Sequence, residues 1–230
     1  MKNIYRDGEY IKNNPLYHVE DSPWKAQQVL KMLNRHNLQI ASVCEIGCGA
    51  GEILRQLQIH LPDKITFHGF EISPQAFNLC KQRENERLHF YCEDLLSTNT
   101  QNFDVLLCID VFEHVEDYIG FLIKLRSKAM HKIFHIPLDI SVQSVLRCTP
   151  IVQARAKVGH LHYFMKETAL LTLQDTGYEI VDHFYTPSGI DRGKSLKAKL
   201  AKLPRRIFFH ITPDLAVRVL GGYSLLVLAR

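Results

Sequence analysis

Short apolar runs alternate with amphipathic stretches through the middle of the chain. The runs IASVCEIG (40–47), ITFHGFEI (65–72), LHFYCED (88–94), FDVLLCID (103–110) and HKIFHIPL (131–138) have strand length and many β-branched or aromatic residues. Segments near 51–60, 74–84 and 115–129 lie between them and read as helices. Strands alternating with helices predict a parallel sheet covered on both faces and built from right-handed crossovers. Ahead of the first run, Ser22 reads as a helix cap with Pro23 in the first turn, and Ala26, Val29, Leu30 and Leu33 recur at helical spacing through residue 34. Past the fifth run, KETALLTLQDTG reads as a helix, and GYEIVDHFYTP (177–187) and GGYSLLVLAR (221–230) read as two late β runs. No repeat or low-complexity linker interrupts the pattern. The expectation is one α/β domain over 1–230, with a helical lid over about 1–38 and insertions at about 139–163 and 188–220.

Composition changes this picture little. Hydrophobic residues make up 46% and charged residues 23%, as in an ordinary globular protein. No window approaches the roughly 18 apolar residues of a membrane span, and the polar start MKNIYRDGEYIKNNP lacks the apolar core of a secretory signal. Cysteines stand at 44, 48, 80, 92, 108 and 148 with no C-x-x-C, and Cys44, Cys92 and Cys108 fall in apolar runs. That pattern predicts reduced, buried thiols and a cytoplasmic location, not a disulfide framework or a zinc site. Charge matters more. The net value is +4, yet residues 192–206 hold seven basic residues and no acid, so the remainder carries −3.

Candidate chemistry begins at VCEIGCGAGEIL (43–54), where Gly47, Gly49 and Gly51 alternate directly behind the first strand. A glycine turn there lies at the carboxyl edge of a doubly wound sheet, where ligands bind. Its spacing is G-x-G-x-G, because Glu52 stands where the G-x-G-x-x-G fingerprint needs glycine. Glu71 closes the second strand 20 residues after Gly51, placed to hold both ribose hydroxyls. A nicotinamide dinucleotide and S-adenosylmethionine both satisfy these features. Glu45 separates them, since an acid beside the turn repels a pyrophosphate and suits sulfonium and ammonium charge. Glu93-Asp94-Leu95 ends the third strand with a carboxylate and a backbone N–H for an adenine edge, and D-V-F-E-H-V (110–115) follows the fourth.

These four motifs, in order over residues 40–187, resemble class I S-adenosylmethionine-dependent methyltransferases, and most of all the ubiquinone-biosynthesis O-methyltransferase type. The resemblance implies a Rossmann-like doubly wound seven-stranded sheet, mostly parallel with an antiparallel C-terminal strand, and S-adenosyl-L-homocysteine as product. It implies that Glu45, Gly47 and Gly49 line the methionine moiety, with Gly51 in the same cofactor-binding turn, and that Glu71 holds the ribose. Ile72 then packs on the adenine, Asp94 and Leu95 read its edge, and Asp110 and Val111 close the pocket under the sulfonium.

Methyl transfer to a hydroxyl needs alignment and removal of one proton, a task that suits histidine. His114 and His160 are the candidates, while His162, His135 and His68 read as structural. Asp110, Glu113 and His114 form D-x-x-E-H, similar to the E-x-x-E-H metal site of small-RNA 2′-O-methyltransferases and some quinone O-methyltransferases. Asp110 is one methylene short of that pattern, so the expectation is no metal, with a divalent ion as the alternative. No P-P-[YFW] or Pro-Cys follows the fourth strand, which points away from base-amine and cytosine-carbon methylation. What remains is O-methylation of a small or lipid/glycan-linked acceptor, with N- or C-acceptors as lesser options. Alternatives are a non-catalytic S-adenosylmethionine-binding regulator and a metal-dependent RNA 2′-O-methyltransferase. Leu196, Leu200 and Leu203 put an apolar stripe beside the lysines of the basic run, so 192–209 is a candidate peripheral membrane contact. Confinement of the basic charge to one segment weighs against nucleic acid. Tyr10, His18 and Trp24 are candidates for a lid over the cofactor.

Overall fold

A computed structural model describes residues 14, 17, 19–98, 102–187 and 205–230. Tyr10, His18 and residues 192–204 of the basic run lie outside the described residues. The elements run α1 (Ser22–Arg35), β1 (Ser42–Ile46), α2 (Glu52–His60), β2 (Thr66–Phe70), α3 (Pro74–Cys80), β3 (Leu88–Tyr91) and α4 (Leu95–Thr98). Then come β4 (Phe103–Ile109), α5 (Tyr118–Leu125), β5 (Ala129–Pro137), α6 (Val142–Arg147), α7 (Thr149–Gln153), α8 (Lys166–Asp175) and β6 (Ile180–Thr186). After a helical stretch over 205–211 the chain closes with α9 (Pro213–Leu220) and β7 (Ser224–Ala229).

All seven strands join one sheet in the order β3-β2-β1-β4-β5-β7-β6. The first five are mutually parallel, and β7 runs antiparallel between β5 and β6, as the resemblance implied. Order reverses at β1, whose neighbours are β2 and β4. A crevice beyond the carboxyl ends therefore opens directly above the glycine turn. The period-two side-chain rule divides the core, with Val43 packing into the layer under α1 and α2 while Cys44 and Ile46 enter the opposite layer with Phe112, Phe134 and Leu225.

Three local expectations shift. Asp21, not Ser22, is the N-cap of α1, because a 3-10 turn (Val19–Asp21) runs straight into the helix and makes Ser22 its first residue. The helix expected from 115 begins at Tyr118, where the Asp117 carboxylate accepts from Gly120 N at 2.9 Å. Cys92 is exposed, because β3 ends at Tyr91. Cys148 is exposed too, whereas Cys44, Cys48, Cys80 and Cys108 are buried, and all six thiols are free. No described helix is long and apolar enough to cross a membrane.

Candidate functional site

A cavity of about 1280 Å³ opens at the crevice. Small-ligand pockets commonly span about 300–1,000 Å³, so this one has room for two molecules side by side. One half is walled by the β1 turn, Glu71, Ile72, Asp110 and the start of α1. The other is walled by residues 137–161, Arg205 and 220–224.

The three turn glycines all take left-handed φ, at 66, 54 and 74°, but for different reasons. A Cβ on Gly51 would stand 2.4 Å from the Phe90 ring and 2.8 Å from the Cys80 Cβ, so this glycine serves packing beneath the turn. One on Gly47 would meet Val111 at 2.9 Å, whereas Gly49 faces only the Tyr17 ring at 3.7 Å. Gly49 N donates to Glu71 Oε2 at 2.8 Å and Ser73 N to Oε1 at 2.8 Å, so Glu71 ties the β1 turn to the start of α3. Tyr17 Oη lies 3.0 Å from Ser73 Oγ and holds Tyr17 across the same corner.

The charged groups are deeply set. Glu45 is 2% exposed, and its Oε2 has no hydrogen-bond partner. Burial pushes its carboxyl well above the ordinary range, with Lys25 pulling it down and Glu71 pushing it further up. A cationic amino or sulfonium group in the cavity would relieve that penalty. The donor set around the turn therefore fits an S-adenosylmethionine-like ligand better than a pyrophosphate. Asp110 sits just past β4 in left-handed conformation, φ 54°, with Oδ2 2.8 Å from Lys25 Nζ and Oδ1 2.5 Å from His135 Nδ1. Burial opposes its charge, but His135 and Lys25 hold it far below the usual carboxylate range. His135 Nε2 continues the chain to Thr186 Oγ1 at 2.9 Å, joining α1, β4, β5 and β6 in one polar line.

The far half depends on an insertion closed at its neck. Asp139 follows β5, His160 ends the insertion, and His160 Nδ1 lies 2.6 Å from Asp139 Oδ2. Leu161 N and His162 N both donate to Glu113 O, at 2.8 and 3.1 Å, which pins the insertion to the 3-10 turn Phe112–His114. The His114 and His160 rings meet edge to face at 4.9 Å between centroids. Burial, with His160 beside it, lowers His114 to about 4, so the ring is neutral at physiological pH. Glu113 is 1% exposed, and neither carboxylate oxygen has a hydrogen-bond partner. Burial, Asp110 and Asp139 push its carboxyl well above the ordinary range. Ligand atoms of Glu113, His114 and His160 lie within 4.8 Å of one another, a set able to hold a divalent ion.

Of the residues singled out in the sequence, Glu45, Gly47, Gly49, Glu71, Ile72, Asp110, Val111, His114 and His160 line this one cavity. Gly51, Asp94 and Leu95 do not. Asp94 caps α4 by accepting from Leu96 N at 2.9 Å and Ser97 Oγ at 2.7 Å, and the Leu95 side chain is fully buried in the core. His162 Nε2 contacts Val115 O at 2.9 Å and its ring packs on Tyr118, at the start of α5. Trp24 meets the His135 ring edge-on at 6.1 Å. Sequence reasoning missed Lys25, Tyr17 and Asp139. Lys25 alone carried a signal, a cation at the cavity end of an otherwise apolar helix stripe.

Residues 44–131 match a family model described as a methyltransferase domain. Among curated proteins none matches the sequence. Among solved structures, magnesium protoporphyrin IX methyltransferase from Synechocystis PCC 6803, with bound S-adenosylhomocysteine, is similar at TM-score 0.60 and 18% identity, over 90% of this chain and 82% of its own. The N-methyltransferase NodS from Bradyrhizobium japonicum WM9, in complex with S-adenosylhomocysteine, also gives 0.60 and 18%, over 96% and 97%. A cyclopropane synthase from Mycobacterium tuberculosis gives 0.59 and 14%, over 88% and 84%. Residues 44–131 thus match a methyltransferase domain, and the chain as a whole has the α/β fold of these methyltransferase structures.

Proposed function

We propose that this chain is a cytoplasmic S-adenosylmethionine-dependent methyltransferase acting on a hydroxyl of a small or lipid/glycan-linked acceptor, of the ubiquinone-biosynthesis O-methyltransferase type that its motifs resemble. One observation carries the cofactor reading: Glu45, buried with an unpartnered oxygen, faces the cavity beside the glycine turn. Glu45 with the Gly47–Gly49 backbone would hold the amino-acid end of the cofactor, Glu71 the ribose, and Ile72, 41% exposed at the rim, the adenine face. When bound, S-adenosylmethionine supplies an electrophilic methyl group on a sulfonium whose leaving group, a thioether, needs no proton.

The protein's own task is then to orient the acceptor and take its proton. His160 suits this task better than His114. Asp139 fixes its Nδ1–H, leaves the Nε2 lone pair as the base, and stabilises the imidazolium that forms. The buried, weakly basic His114 ring lies against it as a neutral wall. Methyl transfer from labelled S-adenosylmethionine to a panel of quinols, phenols, sugars and lipid-linked hydroxyls tests this. His160→Gln is expected to lower kcat about 100-fold or more and Asp139→Asn about 10-fold, with cofactor affinity unchanged. Wild-type turnover with His160→Gln at full rate contradicts the assignment.

A second reading rests on Glu113. Its two unpartnered buried oxygens, with His114 and His160 alongside, suit a divalent ion that would lower the pKa of the acceptor hydroxyl directly. Activity abolished by chelator, restored by Mg²⁺ or Mn²⁺ and lost in Glu113→Ala would favour it over the histidine base, and would admit an RNA 2′-hydroxyl as acceptor.

A further inference from the structure

The two halves of the cavity carry opposite charge. Among the described residues, Asp21, Glu45, Glu52, Glu71 and Asp110 line the cofactor half against one cation, Lys25. The acceptor half reverses this balance, with Arg147, Arg155 and Arg205 against Asp139, whose carboxylate lies 2.6 Å from His160 Nδ1. Glu116, exposed in the loop before α5, is the remaining acid of the lining. Residues 140–159 contain no acid, and neither 205–212 nor 220–224 contains one. α6 turns its polar side to this wall. Gln143, Ser144 and Arg147 line the cavity, while Val142, Val145 and Leu146 stand away from it and are exposed. An amphipathic helix normally turns its apolar stripe toward the protein. Here the polar side faces inward, which suits a hydrophilic ligand.

The arginines are drawn together without being neutralised. Arg147 Nη1 donates to Gln143 Oε1 at 3.4 Å, and Gln143 Nε2 donates to Leu220 O at 2.7 Å. Arg205 Nη2 donates to the same Leu220 carbonyl at 3.3 Å, so one amide and one carbonyl link two guanidinium groups from distant segments. Both acceptor oxygens are neutral. Among the described residues, Arg147, Arg155 and Arg205 meet no carboxylate. Elsewhere arginines do, as Arg55 and Arg83 hold Glu52, Arg87 reaches Asp63 and Arg218 reaches Glu167. A guanidinium stays charged at physiological pH and carries five N–H donors in a planar fork. Like charges on a concave wall focus their field into the cavity and concentrate anions there. A phosphate, with oxygens enough to engage more than one fork, complements this wall.

We infer that Arg147, Arg155 and Arg205 form a phosphate subsite in the acceptor half, and that the methyl acceptor carries a phosphate group besides the hydroxyl that reacts at His160. The inference deepens the proposed function and rests on it for the acceptor, but phosphate binding is read without turnover. The phosphate belongs to a small phosphomonoester or to a lipid-linked phosphate. The full chain, saturated with S-adenosylhomocysteine in phosphate- and sulfate-free buffer, is titrated calorimetrically with phenyl phosphate and geranyl phosphate. Phenol and geraniol serve as uncharged controls. At least one ester is expected to bind about tenfold or more tighter than its alcohol, weakening as salt is raised. Arg147→Gln/Arg205→Gln should weaken that binding about tenfold or more, with wild-type melting temperature and wild-type affinity for S-adenosylhomocysteine. Arg218→Gln, outside the cavity, should not weaken it. Tighter phenyl phosphate assigns a small acceptor and tighter geranyl phosphate a lipid-linked one, and either upholds the subsite. No binding by either ester, esters no tighter than their alcohols, undiminished binding by the double variant, or an equal loss in Arg218→Gln overturns it. Should the double variant melt lower, Arg155→Gln, at an exposed position, decides: ester binding about threefold or more weaker upholds the subsite, and undiminished binding overturns it. A wild type that binds no S-adenosylhomocysteine strikes the cofactor reading, and the ester titrations repeated without it still decide the subsite.

Discussion

The cofactor half of the cavity is walled by strand ends, and the acceptor half by an insertion. Around the glycine turn, Gly47 N and Cys48 N both donate to Phe70 O at 2.8 and 3.1 Å, Glu71 spans two loops, and Lys25, Asp110 and His135 are fixed in one polar line. Across the cavity, α6 and α7 belong to no layer of the sheet and are held mainly at their ends, by His160 on Asp139, by the Glu113 carbonyl and by Gln143 on Leu220. The first region is a by-product of a sheet that reverses order at β1, so any chain with this fold tends to acquire it. The second is an addition, free to vary without disturbing the core.

The comparison breaks most visibly at Lys25. Its ammonium is buried facing Asp110, with Glu45 and Glu113 nearby, and these acids raise its pKa against the opposing effect of burial. Lys25→Met leaves buried carboxylates without their counter-charge. It should cost about 3–5 kcal/mol, read as a lower urea midpoint with unchanged slope. A variant as stable as the wild type would show that the polar line does not hold α1 to the sheet.

Next in size is the contrast between two glycines of one turn. Gly51→Ala drives a Cβ into Phe90 and Cys80 and should destabilise by about 2–4 kcal/mol. Gly49→Ala meets no close atom, suffers only its left-handed backbone at about 1–2 kcal/mol, and should weaken cofactor binding more than folding. Equal thermal shifts for the two would erase the distinction between packing and ligand glycines.

The smallest effect concerns Glu52. Burial would raise its carboxyl, but Arg55, Gln56 and Arg83 hold it down at about 2. A depressed carboxylate pKa adds stability above the ordinary value of 4.5, which is lost as pH falls toward 2. Glu52→Gln should therefore cost about 1 kcal/mol at neutral pH and flatten the acid limb of the stability profile. An unchanged acid limb would place that sensitivity on other carboxylates.

Much of the first region was legible in the sequence, because its signals are local. Strand-length apolar runs, alternating glycines and acids at strand ends report backbone events within a few residues of themselves. The D-x-x-E-H motif marks part of a cluster, since Glu113 and His114 meet His160 while Asp110 pairs with Lys25 and His135. What the sequence concealed depends on closure of the chain. Lys25 finds Asp110 across 85 positions and Asp139 finds His160 across 21, and no periodicity encodes either meeting. Asp94 is ambiguous for the opposite reason. An acid after a strand and before a short helix suits an adenine edge and a helix cap equally well, and its carboxylate accepts from Leu96 N and Ser97 Oγ. The outward apolar stripe of α6 was hidden in the same way, because periodicity gives a face without saying which side of the helix meets the protein.

Calorimetric titration of the full chain with S-adenosylhomocysteine and with NAD tests the central claim most directly, using wild type and Glu45→Gln. The account predicts that the wild type binds S-adenosylhomocysteine and not NAD, and that Glu45→Gln binds about 10- to 100-fold more weakly. Wild-type binding of NAD instead, or undiminished S-adenosylhomocysteine binding by Glu45→Gln, would contradict it.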